Sequence, residues 1–489
     1  MRCARTWEGA KCSQTGSFVV QGVARCRDRR DSPDSLLAHR SSMKNLQLLA
    51  LCACAILGCA RSTTTTARMA GAPSPAPSCC SAEGHRVSAE HRVAAITSRR
   101  FTHAQLWSAL DPITRAPSLQ VRDIGRSIQG RPIRAITFGT GRTTVLLWSQ
   151  MHGDESTATM ALADILAWLA QPTAGGDALR QRLASELTVV MVPMLNPDGA
   201  EVFDRENAVG IDVNRDARRL ATPEARALKS LRDSIRPAYG FNLHDQNART
   251  LAGPRGPQVG IALLAPAAER TNAYGPTRAE ARLLAAEIAR VLHGEIPGRV
   301  AKYNDAFEPR AFGDLMQQWG TSTVLIESGA LPGDPDKQRL REINVVAILS
   351  ALDAIATGRH RAGDPNAYES LPTNARAASD IFVRGGSLVL PGAPPVRADL
   401  TLNYDDAVAK LHPRVREVGD PASVVAIDTI DASGLFVHPD PSTLEERSGA
   451  RWLRIGAPAL LTIRRGPEPT SEMVRTIGDA TPASDGGTR

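Results

Sequence analysis

Val145-Leu146-Leu147-Trp148-Ser149-Gln150-Met151-His152-Gly153-Asp154-Glu155 is the stretch that decides how this chain folds. Val145 to Ser149 reads as a buried strand, and Ser156 to Ala170 reads as a helix. His152 therefore falls at the C-terminal edge of a strand. Glu155 follows three positions later, where the start of the helix turns it back beside the imidazole. Ligands in open α/β sheets gather at that edge.

Working outward, the same alternation repeats. Leu187 to Leu195, Phe241 to Leu243 and Thr323 to Ile326 read as further buried strands, and Ala225 to Ile235, Arg278 to Leu292 and Gln338 to Ala356 as helices. Strands and helices in alternation predict an α/β fold: a mixed, mostly parallel sheet with helices on both faces, over residues 96–360. Gly358 to Thr373 is a Gly-, Pro- and Asn-containing connector. Beyond it, Ile381 to Val383, Ser387 to Leu390, Ala398 to Leu402, Val424 to Ile427 and Ala459 to Ile463 are short and divided by Gly and Pro. That rhythm predicts a small all-β C-terminal domain over residues 366–470, with a polar, disordered tail at 471–489.

A chain of 489 residues is too long for one ordinary core, so two folded domains with flexible segments are expected. Aromatic content of 4% argues against a platform for stacking bases or sugars. The net charge of +7 is concentrated early: residues 1–42 carry +4 and Lys44 one more, leaving +2 for the remainder. No basic stripe of a nucleic-acid binder is present, and no nucleic-acid partner is expected. All eight cysteines lie at or before Cys80, so a transition metal in the folded part must be held by His and carboxylate.

Met43-Lys44-Asn45 precedes the mostly apolar run Leu46 to Gly58, which ends Ile56-Leu57-Gly58-Cys59. A cationic end, about a dozen apolar residues and a small-residue boundary form a secretory signal, too short to remain as a membrane-spanning helix. The ending resembles the lipobox of bacterial lipoproteins, with Cys59 as the lipidated residue. On this reading 43–58 is the signal peptide, residues 1–42 an upstream extension foreign to the mature protein, and 59–95 a flexible tether rich in Ser, Thr, Ala and Pro near its start. The expected location is the bacterial cell envelope, facing the periplasm through a lipid anchor on Cys59, or outside the cell.

Three more stretches add chemistry: Ile211-Asp212-Val213-Asn214-Arg215, Leu243-His244-Asp245 and Ile326-Glu327-Ser328. With His152 and Glu155 they supply two imidazoles and two carboxylates near strand ends, and an Asn-Arg pair. A zinc ion that activates water needs three protein ligands, an open position and a nearby carboxylate to move protons. A His-x-x-Glu pair alone arises by chance on the order of once per chain, and Asn196-Pro197-Asp198-Gly199 alone reads as a turn. Together the set points to a hydrolase.

The ordered series His-x-x-Glu, Asn-Pro-Asp-Gly, Arg205, Asp-x-Asn-Arg, His244, Glu327 resembles the zinc carboxypeptidases of the carboxypeptidase A type. The likeness opens at Ile124-Gly125-Arg126-Ser127-Ile128-Gln129-Gly130-Arg131-Pro132-Ile133 and runs to about residue 358. It implies one Zn2+ per chain held by His152, Glu155 and His244, with Asp212 orienting the first imidazole from behind. It implies Arg205 as stabiliser of the developing oxyanion, and Asn214 and Arg215 as the grip on a substrate's free carboxylate. Glu327 would be the general base and acid, and Tyr303 the tyrosine that caps substrate. Asp154 departs from the pattern, standing where digestive members carry Arg. His-Gly-Asp-Glu is closer to murein peptide amidases and related deacylases.

The expected function is therefore a zinc-dependent metallocarboxypeptidase acting on the C-terminal bond of peptides. The alternative with the same zinc site is a murein peptide amidase or N-acyl amino acid deacylase, since each such substrate presents a carboxylate. A non-catalytic envelope binding protein on the same fold is the reading from another class. Side-chain preference and oligomeric state are not encoded in these motifs.

Overall fold

The structure, a computed structural model, describes residues 79–171, 177–421 and 423–478, all within the unit spanning Ala72–Arg489. The chain passes through α1 (Cys79–Glu90), α2 (His103–Thr114), β1 (Leu119–Arg126), β2 (Pro132–Phe138), β3 (Thr143–Ser149) and α3 (Thr157–Leu169). It continues through α4 (Ala178–Glu186), β4 (Leu187–Val192), α5 (Pro197–Val202), α6 (Pro223–Ile235), β5 (Tyr239–Asp245), β6 (Thr250–Ala252) and β7 (Ile261–Leu264). Next come α7 (Pro276–Glu295), β8 (Val300–Lys302), α8 (Phe312–Gln318), β9 (Ser322–Ser328), α9 (Gln338–Thr357) and β10 (Asn374–Arg376).

Eight strands form one sheet in the order β1-β2-β4-β3-β5-β9-β7-β8. The centre, β4-β3-β5-β9, is parallel throughout, while β1-β2, β2-β4 and β7-β9 are antiparallel. Central parallel strands are covered on both faces, which is why β3, β5 and β9 read as near-continuous apolar runs. Alternation sorts their side chains between two cores. Val145, Leu147, Phe241, Val324 and Ile326 face the larger core under α3, α7 and α9. Leu146 and Trp148 face the smaller one under α6 and α8. His244 lies at an odd step from Leu243, which faces the larger core, so it projects on the α8 side. The register pairs His244 of β5 directly with Glu327 of β9.

A buried ion pair ties two helices across the larger core. Arg341 of α9 and Asp164 of α3 are fully buried, with Arg341 Nε donating to Asp164 Oδ2 at 2.7 Å. Arg341 also donates to the carbonyls of Ile96 (2.6 Å) and Val93 (3.2 Å), and Val93 N–H donates to Asp164 (2.7 Å). The pair thus serves as a hydrogen-bonding hub for the segment that follows α1.

From residue 79 onward, that segment corrects the expectation of a flexible tether over 59–95. Residues 79–90 are helix α1, packed on α9, with Val87, Val93 and Ile96 buried. His85 lies 2.9 Å from Glu295 and 2.6 Å from Glu342. A Cβ on Gly84 would come 2.7 Å from Val346 Cα, so only glycine permits this approach of the two helices. Small residues that suggest a linker by composition are here the means of close packing. The extension 1–42, the signal segment 43–58, and the expected tether from Cys59 to residue 78 lie outside the described residues.

The C-terminal region is all-β, as expected. Strands 379–384, 399–406, 411–419 and 426–431 form one sheet; strands 387–388, 396–397, 436–439, 461–464 and 473–477 form a second. Ile381, Leu400, Leu402 and Val415 of the first share a core with Val437, Leu461, Ile463 and Ile477 of the second, the arrangement of a sandwich. Here the expected tail 471–489 is corrected in part. Met473–Ile477 is a strand paired with Leu461–Arg464, and Ile477 is buried.

Candidate metal centre

His152 arrives at the sheet's C-terminal edge through Gln150, whose φ is +48°. A Cβ on Gly153 would lie 2.0 Å from the Gly199 carbonyl carbon, so the His152 turn and the Asn196–Gly199 turn must meet backbone to backbone. Asn196 caps α5 by accepting the Gly199 N–H at 3.0 Å, and its Nδ2 donates to the Glu206 carbonyl at 3.1 Å. Asp198 accepts from Ser127 Oγ (2.7 Å), Gln129 N–H (2.9 Å) and Arg131 Nη1 (2.7 Å). The Asn-Pro-Asp-Gly turn thereby joins the 127–131 turn to the loop that carries Arg205, more than a plain turn would do.

His152, Glu155 and His244 are all buried, and their ligand atoms lie within 4.8 Å of one another. Glu155 Oε1 is 2.8 Å from His152 Nδ1, and Glu155 Oε2 is 2.6 Å from His244 Nδ1. On the far side of the ring, His152 Nε2 lies 3.1 Å from Asp212 Oδ1. Asp212 is itself fixed by the Asn214 N–H (2.8 Å) and by Arg205 Nη2 (2.9 Å) and Nε (3.2 Å). Two imidazole nitrogens and a carboxylate converging on one point, with an outer carboxylate holding the first ring, fit a zinc ion. The structure brings these three donors together.

The electrostatics are those of a cation site. Burial opposes charge on Glu155, yet the two imidazoles hold its carboxyl well below the usual range. Burial alone would lower His152, but Glu155 and Asp212 outweigh it and raise the imidazole to about 9. His244 goes the other way, because burial outweighs its bond to Glu155. Arg205 lies 3.2 Å from Glu155 and 3.1 Å from His152 Nδ1, at the rim of the three donors.

These residues line a cleft of about 890 Å³ that also takes in Asn214, Arg215, Tyr303 and Glu327. Asn214 Oδ1 accepts the Phe312 N–H at 2.9 Å, which clips the Asn-Arg pair to the start of α8, and Arg215 lies 3.6 Å from Glu308. Glu327 is buried, and its carboxylate has no hydrogen-bond partner among the described residues. Burial, then the Glu155 charge, raises its carboxyl well above the ordinary value. Tyr303 is pushed to about 12, first by the charge of Glu327 and then by burial. Of the residues singled out in the sequence for this site, His152, Glu155, Arg205, Asn214, Arg215, His244, Tyr303 and Glu327 line one cleft, and Asp212 stands behind His152.

Other residues on the cleft carry no sequence signal of their own. Asp314 is raised to about 7 by burial, accepts the Glu308 N–H at 3.1 Å, and sits in the first turn of α8. Asn242, two residues before His244 on the same strand face, has a buried Oδ1 without a partner among the described residues. Thr373 to Arg376 come from the connector and its strand. Asp154, the departure from pattern, is not on the cleft lining; it is raised to about 6 by burial and then by Glu155, and its Oδ1 is buried without a partner among the described residues.

Comparison with known proteins finds likenesses over part of the chain. Residues 108–244 match the zinc carboxypeptidase family, a stretch that contains all three donors, Arg205, Asp212, Asn214 and Arg215 and ends before Glu327. Carboxypeptidase 2 of Trichophyton rubrum is 28% identical over 111 residues, 22% of this chain and 20% of that protein. Carboxypeptidase SOL1 of Arabidopsis thaliana is 26% identical over 167 residues, covering 30% of this chain and 34% of that one. The chain thus spans between about a fifth and a third of the length of these relatives. A metallo-carboxypeptidase crystal structure from Burkholderia cenocepacia overlays 52% of this chain and 70% of its own, at 20% identity and a TM-score of 0.42. Over residues 108–244, the stretch that carries the three donors, the chain is similar to the zinc carboxypeptidase family.

Proposed function

We propose that the protein is a zinc metallocarboxypeptidase that removes C-terminal residues from peptides. The observation that carries the reading is Glu327: a buried carboxylate with no hydrogen-bond partner among the described residues, opposite zinc-ligand candidate His244 in the strand register and open to the same cleft. A carboxylate left unpaired at such cost suits a group that moves protons.

When bound, zinc supplies a Lewis acid for the scissile carbonyl and makes water a better nucleophile near neutral pH. His152, Glu155 and His244 would hold it. Asn214 and the forked guanidinium of Arg215 would grip the substrate's terminal carboxylate, fixing which bond is presented. Glu327 would accept a proton from the attacking water and pass it to the departing amine. Arg205 would stabilise the negative charge that grows on the carbonyl oxygen, while its bonds to Asp212 keep it aimed. Tyr303 would close over the bound residue from its place on the cleft.

Murein peptide amidase or deacylase activity is the second reading, favoured by Asp154 in the His-Gly-Asp-Glu turn. An envelope lipoprotein anchored through Cys59 is the location proposed with either activity, supported by the Met43 to Cys59 pattern. The test is incubation of the zinc-loaded protein with free-acid peptides, their C-terminal amides and murein tripeptide, followed by mass spectrometry. Single-residue loss from free acids and not from amides is the expected result. Cleavage confined to the murein peptide would move the protein to the amidase reading, and no cleavage with zinc bound would leave the binding-protein reading.

A further inference from the structure

One wall of the cleft comes from outside the catalytic fold. Thr373, Asn374, Ala375 and Arg376 line the same cavity as His152 and Glu327, and they belong to the segment leading into the β-sandwich. This segment is fastened along its length. Lys302 N–H donates to the Pro372 carbonyl (2.9 Å), Gly253 N–H to that of Thr373 (3.1 Å), and Ala377 N–H to that of Arg249 (2.8 Å). Between these points β10 pairs antiparallel with β6, with Arg376 opposite Thr250. Arg249 then reaches the sandwich, where its Nη2 donates to Asp380 Oδ2 at 2.6 Å and to the Tyr404 carbonyl at 2.7 Å. A strand pair of three residues is too short to persist in water unaided. The sandwich holds it in place.

Arg376 is exposed at the cleft, and its guanidinium has no hydrogen-bond or ion-pair partner among the described residues. Asn374, on the same face of the strand, likewise leaves its side chain unpartnered among them. The other cations on the cleft are engaged: Arg205 with Asp212 and Glu155, Arg215 with Glu308 and Lys302 with Glu369. A free fork of N–H donors beside an amide is suited to a carboxylate. The terminal carboxylate belongs to Asn214 and Arg215, which are clipped to α8, whereas Arg376 is carried by the β6–β10 pair next to β8. An anion that reaches Arg376 is a different group of the substrate.

We propose that Arg376 is a substrate-binding residue that favours peptides carrying a second carboxylate besides the terminal one, and that the β-sandwich serves the cleft by holding this residue at its rim. The inference rests on the carboxypeptidase reading. It names acidic peptides as the favoured substrate class and gives the C-terminal domain a role in selecting them.

The test uses the full zinc-loaded chain with two series of blocked free-acid peptides, differing only in Glu, Gln or Lys at the penultimate or at the final position. The wild type is expected to favour Glu over Gln over Lys in at least one series, which locates the second carboxylate, and the preference should fade at high salt. Arg376→Ala should reduce the Glu-over-Gln preference by up to about fivefold, mainly through KM, the scale of an exposed ion pair. Arg376→Glu should invert the order to favour Lys, a swing of roughly twentyfold by the same scale. Equal zinc content and circular dichroism check that the variants fold. An unchanged order in Arg376→Glu, with peptides still cleaved, would overturn this inference alone. A wild type that cleaves none of the peptides would overturn the carboxypeptidase reading and this inference with it.

Discussion

Replacing Asp212 by Asn probes the metal centre without changing its shape. In the structure Asp212 Oδ1 lies 3.1 Å from His152 Nε2, and its other oxygen takes two bonds from Arg205 at 2.9 and 3.2 Å. A His152 ring that gives its Nδ1 electron pair to a cation must carry its proton on Nε2, and Asp212 is the acceptor placed to receive it. Asn offers either a neutral carbonyl, with a weaker bond, or an NH₂ that opposes the ring N–H. Loss of such an outer partner lowers metal affinity by about 10–100-fold, or roughly 1.4–2.8 kcal/mol. Competition with a chromogenic zinc chelator at fixed pH reads this directly. Arg205→Met serves as the control, because Asp212→Asn also loosens Arg205. A zinc affinity for Asp212→Asn within twofold of wild type would refute the placement of Asp212 as the residue that orients His152.

Three further outcomes are expected. Glu327→Gln should keep zinc and lose about 10²–10⁴ in kcat, the usual contribution of a general acid–base, whereas His244→Ala should lose zinc and turnover together; zinc content beside steady-state rates separates the two. Arg341→Leu should destabilise the fold by about 3–5 kcal/mol in urea unfolding, since Asp164 would be left charged and buried with the Ile96 and Val93 carbonyls unbonded. Asp314 is raised to about 7 by burial, so its contribution to stability is fully present below its ordinary value near 4 and is lost as pH rises through about 7. Asp314→Asn should therefore match wild type in acid and exceed it above pH 7, by at most ~3–4 kcal/mol, and equal unfolding midpoints at both pH values would contradict the burial argument.

The metal-binding half of the site was unusually open to reading because much of it is local. His152 and Glu155 are three residues apart at a strand-to-helix turn, and Asp212, Asn214 and Arg215 share one short loop, so spacing alone brings each group together. Glu327 was legible for another reason: a carboxylate at the end of the apolar run Thr323 to Ile326 conflicts with its surroundings. Helix α1 was not legible, since Ser, Ala and Gly carry little amphipathic signal and Gly84 is explained only by its contact with Val346. The strand Met473–Ile477 was missed for a similar reason, because a lone polar-flanked strand gains its stability from the partner it lies against.

By itself the sequence determined the central strands, the helices α3, α6, α7 and α9, and the donor types near the strand ends, because buried parallel strands demand apolar runs and a zinc site demands a small set of donor types. The tertiary structure decided which strand ends meet. Strand pairing is non-local, and no local pattern states that His244 stands in register with Glu327 or that Trp148 and His244 share a face. It also decided that the connector crosses the cleft. A three-residue pairing such as that of β10 with β6 is too short to stand alone, and it is flanked by the eight-stranded sheet on one side and the β-sandwich on the other.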